Sequence, residues 1–275
     1  ADGDWSSDVC SSDLTIIDGS TADGGLPADH VVAMDSVTEV RLDGFTVTGG
    51  VADGEYPQSR GAGIYGSYLG AVTIANCVIT GNTSSSRGGG LDLSSSDALI
   101  VDCAIVANNG SEGGALRVSG QLTMEGCTVK GNTVTSGSSA AQFFPSSGET
   151  ITIRDCRFLD NQGGVHLDDD ALLERSVIAG ITGGWALGVF GGEVRDSIIA
   201  GNSTSSPFLR GYGRLVNTVI SGNTSSMSGW DLELVNCTVA SNAAGVYLWS
   251  NLLATNTIFF DNPGHAVAES HRDDE

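Results

Sequence analysis

The chain is 275 residues long and sets 12 Lys and Arg against 33 Asp and Glu, a formal net charge of −21. So acidic a surface repels phosphate backbones and excludes nucleic acid as a partner, and no apolar run is long enough to span a bilayer. A single lysine, Lys130, among many Asp, Ser, Thr, Asn and Gly residues suits a protein exposed outside a bacterial cell or on its surface.

From the N-terminus, Asp4 to Leu14 coincide residue for residue with the in-frame translation of a common sequencing-library adapter. Residues 1–14 are therefore set aside as foreign to the fold, like a fusion scar. Without their four acidic residues the charge is 12 − 29 = −17. The lack of a visible signal peptide then carries no information, and Thr15-Ile16-Ile17-Asp18 reads as the end of an earlier coil.

From there one phrase recurs, clearest in Val72-Thr-Ile74-Ala-Asn76-Cys77-Val-Ile79-Thr-Gly-Asn82, in Ile151 to Asn161 and in Leu232 to Asn242. Anchored on the cysteine, its column holds Phe45, Cys77, Cys103, Cys127, Cys156, Ser176, Ser197, Thr218, Cys237 and Thr257, a spacing typical of coiled repeats. Two residues later every copy is apolar, from Val47, Ile79 and Ile105 to Val239 and Phe259; three residues earlier the same holds, from Leu42 and Ile74 to Leu234 and Ala254. Period-2 alternation on both sides predicts two strands with one face inward. Between them stand Gly44, Asn76, Asp102, Gly126, Asp155, Arg175, Asp196, Asn217, Asn236 and Asn256. Asn, Asp and Gly accept a left-handed backbone at little cost, so this column predicts a sharp bend between the strands.

A further strand precedes the pair, in Gly89-Gly90-Leu91-Asp92-Leu93, Gly114-Ala115-Leu116-Arg117-Val118, Gly164-Val165-His166-Leu167 and Gly245-Val246-Tyr247-Leu248. In chain order this is the first strand of a coil, and the two flanking the bend are the second and third. The prediction is an all-β, right-handed parallel β-helix of about ten coils, three short strands to a coil, forming one domain over residues 15–267. Residues 268–275 form a polar tail or a truncated end, and without capping helices the chain reads as a piece of a longer one. Cys77, Cys103, Cys127, Cys156 and Cys237 point inward and are expected to stay reduced, because parallel side-chain vectors on stacked coils strain a disulfide torsion. Asn82, Asn108, Asn132, Asn161, Asn202, Asn223, Asn242 and Asn262 are expected to form an internal ladder that caps backbone at a turn.

Two outer faces carry what chemistry there is. On the first strand the outward column reads Tyr65, Asp92, Arg117, Gln142, His166 and Tyr247, and the turns after it add Tyr68, Asp97, Phe144, Glu149, Asp168, Asp169, Asp170 and Trp249. Tyr65, Asp92, Arg117, His166, Tyr247 and Trp249 are the candidate glycan contacts. Asp168 and Asp170 are the candidate Ca2+ ligands, with His166 beside them and Arg117 two coils away; no other cofactor is expected. As a solvated acidic turn the same three aspartates would need no ion at all. Asp92 has no acidic neighbour one coil away in its column, which argues against the paired carboxylates of a glycosidase. On the third strand the outward positions of the later coils are Val177 and Ala179, Ile198 and Ala200, Val219 and Ser221, Thr238 and Ala240, and Ile258 and Phe260. A solvated face alternates with polar residues, so this one is expected to be covered by a second copy, another domain or a ligand.

These columns resemble the right-handed parallel β-helix proteins of bacterial surfaces and secretomes. Phe158-Leu-Asp-Asn161 with Gly163-Gly164-Val165, Phe259-Phe-Asp-Asn262, and Gly113-Gly114-Ala115-Leu116 are similar to the repeats of polymorphic outer-membrane adhesins. The resemblance implies the fold; the scarcity of Lys and the lack of paired carboxylates favour an extracellular, non-catalytic surface protein for adhesion or for binding polysaccharide or cell-surface glycan. The alternative is a polysaccharide lyase or glycoside hydrolase working on the first-strand face, since such coils carry both kinds of function.

Overall fold

In the computed structural model the described residues are 15–22, 24–248, 251–263 and 268–269; residues 1–14, Trp249 and Val267 lie outside them. Among the described residues every regular element is a strand. The bend column sets the geometry. All ten of its members have positive φ, from Gly44 to Asn256. Arg175, whose side chain gives no reason for a φ of 46°, instead forks onto the previous bend residue, Nε to Asp155 Oδ1 at 3.0 Å and a terminal nitrogen to Oδ2 at 2.8 Å.

Beyond the bends, the third strands stack as one eleven-stranded parallel sheet from Thr15–Asp18 to Ile258–Phe260. Thr15–Asp18 pairs in parallel with Phe45–Thr48. Register carries the expected column without a slip, Val47 to Ile79 to Ile105 to Val129 to Phe158, and on through Ile178, Ile199, Ile220 and Val239 to Phe259. All but Phe259 are buried. Each contributes roughly 1.5–3 kcal/mol of hydrophobic stabilisation.

The first two strands differ from three separate pieces per coil. In six coils they run as one strand, in Ile64–Ala75, Leu91–Val101, Leu116–Glu125, Leu187–Arg195, Leu209–Val216 and Met227–Val235, and they share a fifteen-stranded sheet. The corner is taken up by register shifts such as Gly66/Leu69, Gly120/Leu122 and Gly211/Gly213. A bulge turns the chain without breaking the ladder. The sequence pattern also gave no sign of the short ladder of Val51–Ala52, Thr83–Ser84, Asn109–Gly110 and Thr133–Val134, with its counterpart in Thr182–Gly183 and Ser203–Thr204.

Two internal ladders hold the coils in phase. Asn132 Nδ2 donates to Ile105 O and to Asn161 Oδ1, both at 2.9 Å, while its own Oδ1 accepts from the Asn108 amide at 2.9 Å and side chain at 3.1 Å. Equivalent bonds link Asn82 to Asn108, and Asn202 through Asn223 and Asn242 to Asn262. The anchor column does more than fill space. Each Cys, Ser or Thr donates to the carbonyl two residues earlier, Cys127 to Glu125 O at 3.2 Å and Ser197 to Arg195 O at 2.7 Å. It also accepts the anchor amide of the preceding coil, Cys77 N to Cys103 Sγ at 3.5 Å and Cys156 N to Ser176 Oγ at 3.1 Å. This shared donor-acceptor role explains why the three residue types interchange there. The five cysteines are free and buried, and burial pushes the Cys237 thiol up.

Candidate functional site

Parallel register brings Tyr65, Asp92, Arg117, Gln142 and His166 into one outward column on the first strand. Beyond His166 the column continues through Gly188, Arg210 and Ser228 to Tyr247. It crosses six coil steps from Tyr65 to Arg210, about 29 Å at about 4.8 Å each. Trp249 lies outside the described residues.

At the N-terminal end an Arg117 terminal nitrogen lies 3.6 Å from Asp92 Oδ1, and Asp92 is only 4% exposed. Burial pushes the Asp92 carboxyl up, against the opposing pull of Arg117, Arg60 and Arg87. Arg60 comes from the loop between Val51–Ala52 and Ile64–Ala75, its guanidinium 4.7 Å from the Tyr56 ring centroid. Arg87 Nε pairs with Glu112 at 3.2 Å. His30 stacks on Tyr65 with ring centroids 4.7 Å apart, and burial raises the Tyr65 phenol.

Arg117 also faces the next stretch, 5.0 Å from the Phe144 ring centroid. From there rings follow one another across the coils: Phe144 to His166 at 5.1 Å, His166 to Phe190 at 4.8 Å, Phe190 to Tyr212 at 6.2 Å, and Tyr212 to Trp230 at 6.5 Å. Trp185 sits 6.4 Å from Phe190, with Arg210 5.5 Å from its centroid. Gly188 makes room for it, since a Cβ there would meet Phe190 Cε2 at 2.9 Å and Trp185 Nε1 at 3.1 Å. Ring pairs of this kind add to area burial, but a ladder of half-buried rings on an outer face also offers stacking surface to a ligand. Buried polar atoms without a partner gather on the same face: Asp92 Oδ2, Gln142 Oε1, Trp185 Nε1 and Arg60 Nε.

The acidic turn is arranged differently from a cation cage. Asp168 Oδ1 lies 3.5 Å from His166 Nε2, Asp170 takes positive φ, and Asp169 packs over Gly191. Among the described residues no three His, Cys, Asp or Glu side chains gather as metal ligands. Burial holds the His166 imidazole below its ordinary range, although Asp168 pulls the other way. Because its folded pKa is depressed, the stability neutral His166 contributes is complete above about pH 6.5 and is lost as pH falls from there through the folded pKa. His166→Gln should therefore flatten the acid-side decline of unfolding free energy between about pH 6.5 and pH 5 in denaturant titrations. Equal slopes in the two proteins would assign that decline to other groups.

Of the residues singled out from sequence, Tyr65, Asp92 and Arg117 come together as a group and His166 joins the aromatic run. Arg60, Arg87, Trp185, Phe190, Tyr212 and Trp230 went unnoticed. The two arginines sit outside the strand phrase. Gly183-Gly184 marks the coil of Trp185 and Phe190, but there the pair is followed by Trp185-Ala186 before the strand begins at Leu187. The coils of Tyr212 and Trp230 lack the marker, although counting back from the bend residues Asp196, Asn217 and Asn236 would have found all three.

These features define a right-handed parallel β-helix with a polar and aromatic band along one face. The family model described as a right-handed beta helix region matches residues 30–191, more than half of the chain, and the protein belongs to that family. Comparison with curated proteins and with solved structures gave no match.

Proposed function

We propose that this is an extracellular or cell-surface β-helix that binds an extended glycan, without turning it over, along the first-strand face. The observation that carries the reading is the unbroken run from Tyr65 and Asp92 through Arg117, Phe144, His166, Phe190 and Tyr212 to Trp230. It alternates hydrogen-bonding groups with stacking surface, as amphipathic sugars require. The family is common among polysaccharide-acting enzymes and surface proteins, and the adhesin-like phrases favour the second. The buried Asp92 beside Arg117 and Tyr65 favours the alternative, a polysaccharide lyase or hydrolase.

Phe190→Ala and Tyr212→Ala should each weaken binding of an oligosaccharide found in a defined panel of neutral and acidic glycans by about tenfold, as loss of about 1.4 kcal/mol of stacking requires. Calorimetry would read the change. Full affinity in the double variant would overturn the site. An ultraviolet-absorbing unsaturated product, or new reducing ends, would replace binding with catalysis.

We propose further that a second copy covers the outer face of the third strand. Ile198 is 44% exposed, Ile258 61% and Phe260 68%. From Val177 to Phe260 the outward columns of this face carry no charge, so it is where copies of an acidic chain repel one another least. Ile198→Arg should lower the sedimentation coefficient of the assembled form while leaving the coil folded by far-ultraviolet dichroism, and should remove the rise of melting temperature with protein concentration that self-association imposes. A chain that sediments as a monomer before substitution would refute the proposal.

A further inference from the structure

Around Asp92 the charge balance reverses that of the rest of the chain. Arg117 pairs with its carboxylate. The Gly88 backbone lies against the Asp92 side chain and that of Gly61 against Tyr65, the register neighbour of Asp92, and Gly61 N donates to Arg87 O at 2.9 Å. Arg60, Arg87 and Arg117 are thus gathered near one carboxylate in a protein of net charge −21. Two of them are matched: Arg117 by Asp92 Oδ1 and Arg87 by Glu112. Arg60 has no carboxylate partner among the described residues, and its Nε is buried without a hydrogen bond. The cluster therefore keeps one uncompensated positive charge.

A second observation points to a ligand. Asp92 is almost wholly buried, yet Oδ2 has no partner. A buried carboxylate oxygen left unpaired is costly. The groups around it are not ones that could relax onto it without change, because Arg117 is held over the Phe144 ring and Arg60 over the Tyr56 ring. A group arriving from outside, with the Arg60 loop moving aside to admit it, can satisfy both orphans at once if it carries an anionic oxygen for Arg60 and a hydroxyl for Asp92 Oδ2. A neutral sugar supplies only the second.

Resting on the glycan-binding reading above, we propose that Arg60, Asp92 and Arg117 form a subsite for one acidic group, a carboxylate or a sulfate ester, on the bound glycan. The anion pairs with Arg60, and a hydroxyl of the same or the neighbouring sugar donates to Asp92 Oδ2. Arg117, fixed by Asp92 Oδ1, holds that carboxylate in place. The aromatic run from Phe144 to Trp230 then takes the following sugars and is indifferent to their charge. The acidic surface elsewhere repels a polyanion, so a ligand with one or a few charged groups is favoured over one charged at every residue.

Three probes separate the elements: an oligogalacturonate with one free carboxyl and the rest methyl-esterified, the same oligomer with that carboxyl reduced to the alcohol, and a singly sulfated oligosaccharide of equal length. The wild-type protein should bind one of the two acidic probes at least tenfold more tightly than the reduced one, and which of them it prefers identifies the anion. Arg60→Gln lies on a surface loop outside the coil and should remove that preference while leaving affinity for the reduced oligomer unchanged. Asp92→Asn should weaken all of the probes that bind. The preference should also shrink between 50 and 200 mM salt. Equal affinity for acidic and reduced probes, or an Arg60→Gln variant that keeps the preference, would overturn the acidic subsite while leaving glycan binding intact. A panel in which nothing binds would overturn both.

Discussion

Asn132→Leu should lower the unfolding free energy by roughly 3–5 kcal/mol, the largest loss expected from a change of near-equal volume anywhere in the chain. The substitution adds apolar bulk where hydrophobic burial alone would predict a gain. It instead removes donors to Ile105 O and Asn161 Oδ1 and the acceptor of both the amide and the side chain of Asn108. Each polar group left buried and unpaired costs about 1–3 kcal/mol, and several are orphaned together. Urea titration followed by far-ultraviolet dichroism would measure it. A loss under about 1 kcal/mol would mean that the ladder is ornamental and that apolar packing alone holds the coils in phase.

Gly120→Ala is the second severe case, expected to cost roughly 3–5 kcal/mol although it adds one methyl group. Gly120 has a φ of 110°, outside what an L side chain tolerates, and a Cβ there would fall inside the van der Waals shell of the Ser95 carbonyl oxygen one coil away. It stands at the register shift that turns the first strand into the second. Relief of the clash must therefore move backbone, which breaks cross-coil hydrogen bonds as well. Gly131→Ala is the control: its φ of 63° is also positive, but nothing lies within 4 Å of its Cβ. It should cost only the conformational penalty, about 1–2 kcal/mol. Similar losses at both positions would refute the close-approach explanation.

The coil was legible because its columns encode three independent demands: inward apolar residues on a period of two, a residue that accepts positive φ, and an amide that caps backbone. Ile79, Ile105, Asn76 and Asn108 could each be assigned from spacing alone. What escaped was geometry that leaves no compositional mark. A bulge at Gly120 or Gly211 looks like any loop glycine, so the continuous first and second strands read as two. The anchor cysteines read as small apolar residues because hydrogen bonding to the next coil depends on rise and register. For the candidate site, the column Tyr65, Asp92, Arg117, Gln142 and His166 followed from strand parity. Arg60 and Arg87 did not, because a side chain reaching in from a loop has no period to betray it.

Ile181 occupies the Asn position between Asn161 and Asn202; it is fully buried and accepts nothing, while its own amide bonds to Asn202 Oδ1. The amide ladder is thus two runs, Asn82 to Asn161 and Asn202 to Asn262. The same point marks a change of gauge. Linked anchors lie 26 and 24 residues apart before it and 20 or 21 at and after it, and thiols give way to hydroxyls at Ser176. Coil stability in a stacked repeat is close to a sum of nearest-neighbour interfaces, so an interface missing its side-chain amide bond is where the sum dips. The rod is spliced there. Under tension along its axis, or during hydrogen exchange, it would part into two blocks rather than fray evenly, and the aromatic run from Phe144 to Trp230 straddles that splice. A ligand lying across it would act as a splint, joining the two blocks from outside where the inner ladder does not.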